Sequence, residues 1–248
     1  MDIYLINLDR SVDRLNVFQS ANGHMIPHIS RFSAIEGKGV ERTAYVERGI
    51  ISADLHYSDA ALGLALSHLA LWDLAINSKT PVTICEDDAI FNHLFRDASD
   101  SLLSELPPDW HIVLWGWNFS SVLWFDMIPN VLTCVCHFDQ ELMRKGTSEF
   151  QTARLRPQPF KLHQAFGTVC YSVSSEGARL MRKFCLPLRN MSVYIHGLQR
   201  PVRNLGLDVL LSRFYARLNS FVSFPPLVIT KNDRLTSTLR NPDGSLKA

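Results

Sequence analysis

Residues 81–91 read PVTICEDDAIF, and the fold prediction starts from this stretch. Residues 82–85 are apolar or β-branched, which predicts a short buried strand. Three carboxylates, Glu86, Asp87 and Asp88, follow the strand directly. Successive side chains of an extended chain alternate between its faces, so we expect Glu86 and Asp88 on one side and Asp87 on the other.

The three adjacent acids have two interpretations. Neighbouring carboxylates repel one another and resist burial, and a bound Mg²⁺ or Mn²⁺ would relieve that cost through hard oxygen ligands. In open α/β sheets, ligands bind just beyond the carboxyl ends of strands, where these acids are placed. The alternative is an acidic turn in water, in which the three acids cost nothing. This stretch alone leaves both interpretations open.

Composition and charge limit the classes of function. The chain has 248 residues, is 46% hydrophobic and carries a net charge of +1, which is typical of a globular protein and gives no general attraction to nucleic acid. The charge is unevenly distributed, with ten acids against two bases in residues 54–109 and nine bases against one acid, Asp208, in residues 177–232. This asymmetry indicates either different partners for the two regions or attraction between them.

The sequence also predicts the compartment. Its five cysteines have no repeated metal-binding spacing and lie mostly in apolar runs, which favours buried thiols in a reducing environment. The first apolar run is too short for a signal peptide, and no run approaches the roughly 18 residues of a membrane span. We therefore expect a cytoplasmic protein.

Alternating strand and helix patterns predict an α/β fold. The apolar run at 3–8 is typical of a buried parallel strand, and the helical periodicity is strongest at 58–77. The polar segment 139–159 is predicted to be a mobile loop. The remaining predicted strands are 29–35, 110–117, 131–138, 166–173 and an interrupted pair at 221–230, and the remaining helices are 12–20, 174–184, one that closes at 102–108 and one that begins at 206.

Several residues near the predicted strand ends are candidates for binding. Arg10 and Arg14 would face the mouth of the first strand–helix turn, which suits a phosphate or carboxylate, although two surface arginines are the more ordinary explanation. Lys38 between two glycines fits either an anion site or a surface loop. Gly63 interrupts a helix and predicts close approach of a strand or a ligand. His68 in the same helix is either a core residue or a functional one.

Four blocks of sequence, taken in order, resemble glycosyltransferase family 25, the lipopolysaccharide and lipooligosaccharide biosynthesis transferases. Weaker matches bring the resemblance to almost the whole chain, and they include Gly116, Gly167 with Tyr171, Asp208 and residues 225–228. The four main blocks are residues 4–11 with Arg14, residues 34–38, residues 63–68 with Trp72, and residues 86–88.

The resemblance implies a GT-A type fold, which is a Rossmann-like α/β domain with a mixed, mostly parallel sheet flanked by helices. It implies one domain over residues 1–230, with a nucleotide-sugar-binding half at 1–120, an acceptor-binding half at 121–230 and a polar tail at 231–248. It also implies a UDP-sugar donor, commonly UDP-galactose, with Mn²⁺ or Mg²⁺, inversion at the anomeric carbon, and a lipopolysaccharide or other glycan acceptor.

Roles for individual residues follow from the same resemblance. Asp88 and Glu86 take the place of a DxD-type metal motif, Asp208 is the candidate catalytic base and Asp87 is the alternative base. Three positions depart from the family pattern. Glu86 stands at the first position of the motif, Glu36 stands where the family has Asp, and the lack of any histidine after His196 leaves the coordination shell open. The expected donor-binding residues are Asn7, Leu8, Asp9, Arg10, Arg14, Lys38, Gly63, Ser67 and His68.

Two other functions are weighed against a transferase. A metal-dependent nucleotide-sugar-binding module without activity would keep the same donor residues. A nucleotidyltransferase is disfavoured because the chain lacks a glycine-rich phosphate loop of the P-loop kind. Basic residues of the last third either hold the protein at the anionic inner membrane or form a solvated face; these are Arg179, Arg182, Lys183, Arg189, Arg200 and Arg203.

Overall fold

A mixed nine-stranded sheet with helices packed on it forms the core of the protein. The structure is a computed structural model, and it describes residues 1–231. The strands are β1 (Asp2–Asn7), β2 (Ile29–Ser33), β3 (Val82–Glu86), β4 (Ala89–Phe91), β5 (Ile112–Gly116), β6 (Leu123–Ile128), β7 (Leu132–Cys136), β8 (Gln158–Gln164), β9 (Cys170–Val173), β10 (Ser192–Ile195), β11 (Arg200–Arg203), β12 (Ser220–Phe224) and β13 (Val228–Thr230).

The order of strands in the main sheet is β2-β1-β3-β9-β5-β12-β8-β6-β7. Strands β1, β2, β3, β5, β6 and β12 run in one direction, and β7, β8 and β9 run in the other. The pairs β10–β11 and β4–β13 form two small sheets of their own. The predicted α/β class, with a mixed sheet of mostly one strand direction flanked by helices, is confirmed.

Eight α-helices connect and cover the strands of the described chain. The predicted helices at 12–20, 58–77 and 174–184 are present with ends shifted by a residue or two. The helices are α1 (Val12–Ala21), α2 (Arg42–Glu47), α3 (Asp59–Ser78), α4 (Phe95–Glu105), α5 (Gln140–Lys145), α6 (Thr147–Thr152), α7 (Ser175–Cys185) and α8 (Leu207–Ser212).

Helix α3 is the central helix of the core. It begins after Ser58, whose side chain accepts a hydrogen bond from the backbone N–H of Ala61, and it buries Leu62, Leu66 and Trp72. Among the described helices, α3 alone has the length and hydropathy of a membrane span, and 61% of its most apolar 18-residue stretch is buried within the fold. That burial accounts for its apolar composition, since a core helix needs apolar residues on most of its surface.

The predicted nucleotide-sugar and acceptor halves share one sheet. Strand β9 from the second half lies between β3 and β5 of the first half, and β12 pairs with the other side of β5. The halves are therefore not separate structural units, and the assignment of one substrate to each half stays a prediction. Of the predicted tail at 231–248, residues 232–248 lie outside the described part of the chain.

The prediction of a mobile loop at 139–159 is wrong. This segment forms α5, α6 and the start of β8, and the Asp139 side chain accepts from Leu142 N–H at the start of α5. The buried Asn92 side chain donates hydrogen bonds to the backbone oxygens of Phe150, at 2.5 Å, and Ala153, at 3.0 Å. These long-range hydrogen bonds hold the segment together with the packing of Met143, Phe150 and Leu155 on the hydrophobic core.

The carboxyl ends of β1, β3, β5, β6 and β12 lie at one edge of the main sheet, because these strands share a direction. The acidic turn between β3 and β4 is at this edge. Strand β4 then pairs with β13, so residues near Thr230 are brought beside the same turn. The edge thus combines segments from the start, middle and end of the described chain.

Gly63 allows α3 to lie against the backbone that follows β2. A Cβ at this position would come within 2.3 Å of the Ile35 carbonyl oxygen and 2.7 Å of the Gly37 nitrogen. The close approach predicted from this glycine is therefore made by the chain's own backbone. Because both neighbours are backbone atoms, they have little freedom to move aside.

We expect Gly63→Ala to lower the free energy of unfolding by about 1–3 kcal/mol, since the added methyl group overpacks this contact. Gly39→Ala is the matched control, because no atom lies within 4 Å of the Cβ that it adds. Urea denaturation of the two variants measures the difference. Equal midpoints for Gly63→Ala and the unsubstituted protein would contradict this account of the α3 packing.

Candidate functional site

The three carboxylates of the acidic turn each have their own partners. Glu86 is the last residue of β3, whereas Asp87 and Asp88 occupy the turn before β4. The expected strand alternation through Asp88 is therefore wrong beyond Glu86. The turn directs the acids toward different segments, so that their charges are compensated in different ways.

Asp87 is held by residues at the mouth of the first strand–helix turn. Its Oδ2 accepts from Asn7 Nδ2 at 2.8 Å, and its Oδ1 accepts from Arg14 Nε at 2.9 Å and also from Arg14 Nη2. Burial lowers the pKa of Arg14, but its hydrogen bond with Asp87 and the charges of the three acids outweigh burial and raise it. The ion pair thus neutralises one acid and fixes the acidic turn to β1 and α1.

The other predicted donor residues of this region lie at the same mouth. The Leu8 carbonyl oxygen accepts from Ser11 N–H and closes the turn. The exposed Asp9 accepts from Ser33 Oγ at 2.8 Å and from Arg31, and these two hydrogen bonds lower its pKa. Arg10 forms an exposed ion pair with Glu36.

Glu86 is the second carboxylate of the turn. Thr168 Oγ1 donates to its Oε1 at 2.5 Å, and His68 Nε2 lies 3.7 Å from the same oxygen. Burial raises the pKa of Glu86, but the interactions with His68 and Thr168, together with the charge of Arg14, more than offset it, so the pKa lies below its ordinary value. Glu86 is therefore ionised at neutral pH.

His68 belongs to a buried network behind Glu86. The Tyr171 hydroxyl accepts from Trp72 Nε1 at 2.8 Å and lies 2.9 Å from His68 Nδ1. Trp72 can only donate, so the Tyr171 oxygen accepts from it, and a second hydrogen bond joins the Tyr171 hydroxyl to His68 Nδ1. The network orients His68 so that its Nε2 faces the Glu86 carboxylate rather than a pocket.

Asp88 is the third carboxylate. Its Oδ2 accepts from Thr230 Oγ1 at 2.8 Å, while its Oδ1 is buried and has no hydrogen-bond partner among the described residues. Burial and the negative charge of Glu86 raise the pKa of Asp88 to about 6. Of the three acids, Asp88 is the one whose charged form a bound cation would stabilise most.

Asp208 lies in the first turn of α8, as predicted, and it reaches the site through the loop before β9. Its Oδ2 accepts from the backbone N–H of Gly167 at 3.0 Å. Gly167 has φ +81°, and a Cβ there would come within 2.7 Å of the Asn118 nitrogen, so the position requires glycine. Since Thr168 donates to Glu86, adjacent residues of one loop hold the two carboxylates.

Three predicted donor residues have other surroundings. Gly63 packs on the backbone after β2, and Ser67 Oγ donates to the Gly63 carbonyl oxygen and accepts from Ile35 N–H, each at 2.8 Å. Ser67 is fully buried, and its role as a donor-binding residue stays a prediction. Lys38 is exposed in the short 3₁₀ turn 37–39, and within residues 1–231 no hydrogen bond or ion pair joins it to the acidic turn.

Sequence reasoning missed Arg31, Thr168 and Thr230. Arg31 Nε donates to Asn7 Oδ1 at 3.0 Å, and the two threonines hold Glu86 and Asp88. None of the three belongs to a recognisable motif. Only the pairing of β2 with β1 and of β13 with β4 brings Arg31 and Thr230 to the site.

Glu86 and Asp88 fit a hard divalent cation that takes part of its coordination from a ligand. Asp88 offers a buried oxygen without a hydrogen-bond partner among the described residues, and burial together with the charge of Glu86 raises its pKa. Within residues 1–231, however, no group of three or more His, Cys, Asp or Glu side chains is placed to hold a metal. Mg²⁺ commonly binds through one or two carboxylates, with water and substrate phosphates completing the shell.

Comparison with known proteins places the chain in a family. The family model described as glycosyltransferase family 25 (LPS biosynthesis protein) matches residues 1–194. The chain belongs to glycosyltransferase family 25. Family membership indicates a glycosyltransferase of lipopolysaccharide biosynthesis, which uses a nucleotide-sugar donor and a glycan acceptor.

Two other comparisons add little to the family assignment. A search of the curated proteins gives no significant match. Among solved structures, the inositol-1-phosphate CTP transferase from T. maritima is 11% identical and matches 92% of this chain and 88% of its own, with a TM-score of 0.40. That similarity is too low to bear on the activity of this family 25 member.

The raised pKa of Asp88 predicts how stability depends on pH in the presence of a chelator. The folded-state pKa, about 6, exceeds the ordinary value of 3.8, so the native state binds more protons and loses stability as pH rises from 4 to 6. We expect Asp88→Asn to remove this loss and to be more stable than the unsubstituted protein by about 2 kcal/mol at pH 7.

Urea denaturation at a series of pH values measures this effect. Asp100→Asn, an exposed substitution on α4, is the control and should change stability equally at every pH. A difference between Asp88→Asn and the unsubstituted protein that stays constant from pH 4 to pH 7 would show that Asp88 titrates normally.

Proposed function

We propose that this protein is an inverting hexosyltransferase that moves a sugar, with galactose from UDP-galactose the first choice, onto a lipopolysaccharide or related glycan. The observation that carries the proposal is the Arg14–Asp87 ion pair. It holds the acidic turn against the mouth of β1 at the carboxyl edge of the sheet. Nucleotide ligands of α/β sheets bind at such an edge.

The donor is proposed to lie across this mouth. Asn7 and Leu8 form its floor, and the exposed Arg10 is placed to reach phosphate oxygens once it leaves Glu36. Arg14 acts through Asp87, because its guanidinium is engaged there. Lys38 is proposed to attract the donor phosphates from the periphery of the site through its positive charge. His68 is proposed to orient Glu86.

The proposed cofactor is Mn²⁺ or Mg²⁺, held by Asp88 and Glu86 together with donor oxygens. When bound, such a cation neutralises charge that develops on the leaving diphosphate. Thr230 and Thr168 orient the two carboxylates, and the charge of Asp87 is already balanced by Arg14. The GT-A type of fold is part of this proposal.

Asp208 is the proposed catalytic base, which accepts the proton of the attacking acceptor hydroxyl. It is half-buried, and Gly167 N–H fixes its orientation. Asp87, the alternative, is less suited to this role because Arg14 and Asn7 already occupy both of its oxygens. A carboxylate stabilised by an arginine is a weak base.

The acceptor and the compartment are proposed from the family alone. A lipopolysaccharide acceptor places the enzyme in the cytoplasm, with contact at the inner membrane. Three of the six basic residues considered for that contact have partners in the fold: Arg179 pairs with Glu176, Arg182 pairs with Asp73, and Arg203 Nη2 lies 3.3 Å from His56 Nδ1. The Arg182–Asp73 pair joins the basic region to the acidic one.

A metal-dependent nucleotide-sugar-binding module is the second candidate function. It requires the same donor and cation residues as the enzyme but no catalytic base. Such a module would bind the donor at the same mouth without turnover. Release of UDP from UDP-sugars, measured with and without a glycan acceptor, separates the two functions.

We expect UDP-galactose with Mn²⁺ to raise the melting temperature more than UDP-glucose or the N-acetyl forms do. Saturation at about 100 times the dissociation constant stabilises the native state by about 2.7 kcal/mol. Asp88→Asn should lose the Mn²⁺-dependent part of the shift, whereas Asp100→Asn should keep it. Equal shifts with Mn²⁺ and with chelator would argue against a cation at this site.

Asp208→Asn should lower the rate of sugar transfer by about 10²–10⁴-fold, which is the usual contribution of a general base. The amide oxygen that replaces the carboxylate still accepts from Gly167 N–H, so we expect the donor-induced thermal shift to persist. Asp97→Asn is the matched control, because Asp97 is also an acid in the first turn of a helix. Transfer at an unchanged rate in Asp208→Asn would exclude this residue as the base.

A further inference from the structure

Four aromatic side chains form a continuous row where the β10–β11 hairpin meets β6 and β8. The members of this aromatic row are, in order, His163, Trp124, His196 and Tyr194. The ring centroids of successive neighbours are 4.6, 4.4 and 5.2 Å apart. His163 and Trp124 are half-buried, whereas His196 is exposed and Tyr194 is 47% exposed. The row therefore presents one end, Tyr194 and His196, to solvent.

Hydrogen bonds fix both ends of the row. His163 Nε2 lies 2.6 Å from Asp126 Oδ1. At the other end, the side chain of the buried Gln164 joins two backbone groups, because its Nε2 donates to the Tyr194 carbonyl oxygen and its Oε1 accepts from the His196 N–H, each at 2.9 Å. The exposed rings are thus carried on backbone that the fold holds in place, so a ligand would meet a preformed surface.

Two links join the row to the loop that orients the proposed base. Gln164 is three residues before Gly167, so their Cα atoms are at most about 11 Å apart, and Gly167 N–H donates to Asp208. Val209, the residue after Asp208, belongs to one buried cluster with Val193 of β10. The row therefore lies near Asp208. Its residues come from β6, β8, β10 and the segment 196–198, whereas the proposed donor site is formed by β1, α1 and the acidic turn.

The chemistry of the exposed end fits a sugar. A sugar ring has an apolar C–H face, which packs on an aromatic ring, and hydroxyl groups at its edge, which need polar partners. Tyr194 offers its ring together with a hydroxyl that donates to Gln199 Oε1 at 3.4 Å, and His196 adds an exposed imidazole. The family to which the chain belongs uses a glycan acceptor, so a glycan is the ligand that this surface would meet.

We propose that Tyr194 and His196 bind a sugar ring of the glycan acceptor, beyond the sugar whose hydroxyl is glycosylated at Asp208. The proposal rests on the proposed function, because it assigns the row to the acceptor side of the same site. The reacting sugar lies at Asp208, and the row lies beyond the segment 164–167. An acceptor of several sugars therefore reaches both, whereas a single sugar reaches only the base.

Binding of a lipid-free oligosaccharide tests the proposal without turnover. The probe is core oligosaccharide released from lipopolysaccharide by mild acid, titrated into the full chain and followed by calorimetry. Tyr194→Ala should raise the dissociation constant about three- to tenfold, which is the contribution of one aromatic contact. Tyr194→Phe keeps the ring and should bind nearly as well as the unsubstituted protein. His196→Ala should also weaken binding.

Val17→Ala is the control, since Val17 is 68% exposed on α1, which follows β1, and β1 is six strands from β6 in the main sheet. Its affinity for the oligosaccharide should not change, and circular dichroism melting should show that every variant is folded. Unchanged affinity in Tyr194→Ala would overturn the proposal, and so would failure of the unsubstituted protein to bind the oligosaccharide.

Transfer kinetics separate this proposal from the proposed function. Tyr194→Ala should raise KM for the oligosaccharide acceptor, leave KM for the donor unchanged and leave transfer to a monosaccharide glycoside unchanged. An equal loss with both acceptors would overturn the placement of the row beyond the first sugar. If the unsubstituted protein transfers no sugar while oligosaccharide binding still depends on Tyr194, the proposed function fails and the glycan site stands.

Discussion

The arrangement of the site depends on the cost of placing three carboxylates together at the end of a buried strand. One arginine cannot compensate three acids. Arg14 takes Asp87, which leaves Glu86 and Asp88 as an unbalanced pair. The remaining interactions divide this pair. Thr168 and His68 lie against Glu86 and lower its pKa, whereas Asp88 accepts a hydrogen bond from Thr230 and has a raised pKa. Asp87 is therefore paired within the fold, whereas Glu86 and Asp88 form a pair of acids whose negative charge a bound cation would balance.

This division explains why distant parts of the chain meet at one edge. Asn7 and Arg14 come from the first strand and helix, Thr168 from the loop before β9, and Thr230 from β13. Each segment contributes a group that the acidic turn requires. The pairing of β13 with β4 and the antiparallel insertion of β9 between β3 and β5 are what bring these groups within reach.

Local sequence predicted the elements well and their partners poorly. The apolar run before Glu86 and the mouth of β1 were recognisable because a buried strand and a turn each depend on residues that are adjacent in sequence. The glycine at position 63 indicated a close contact, but not that Ile35 and Gly37 supply it. Residues 139–159 read as a loop because the hydrogen bonds from Asn92 that hold α6 come from a distant position. Thr168 and Thr230 carry no local signal, since an isolated threonine becomes a ligand-orienting residue only through the tertiary fold.

The loop at Gly167 and Thr168 links the two chemical roles proposed for the site. Gly167 N–H fixes Asp208 and the next side chain fixes Glu86, so the separation between the proposed base and the proposed cation ligand is set by one peptide unit. The left-handed backbone of Gly167 and its close approach to Asn118 require glycine at the point where both carboxylates attach. A simple binding module needs only the cation side of this arrangement. Asp208 is the one acid among the bases of residues 177–232, and a hydrogen bond from Gly167 N–H orients it toward the same loop. The proposed transfer reaction accounts for this arrangement, because it requires a base beside the donor.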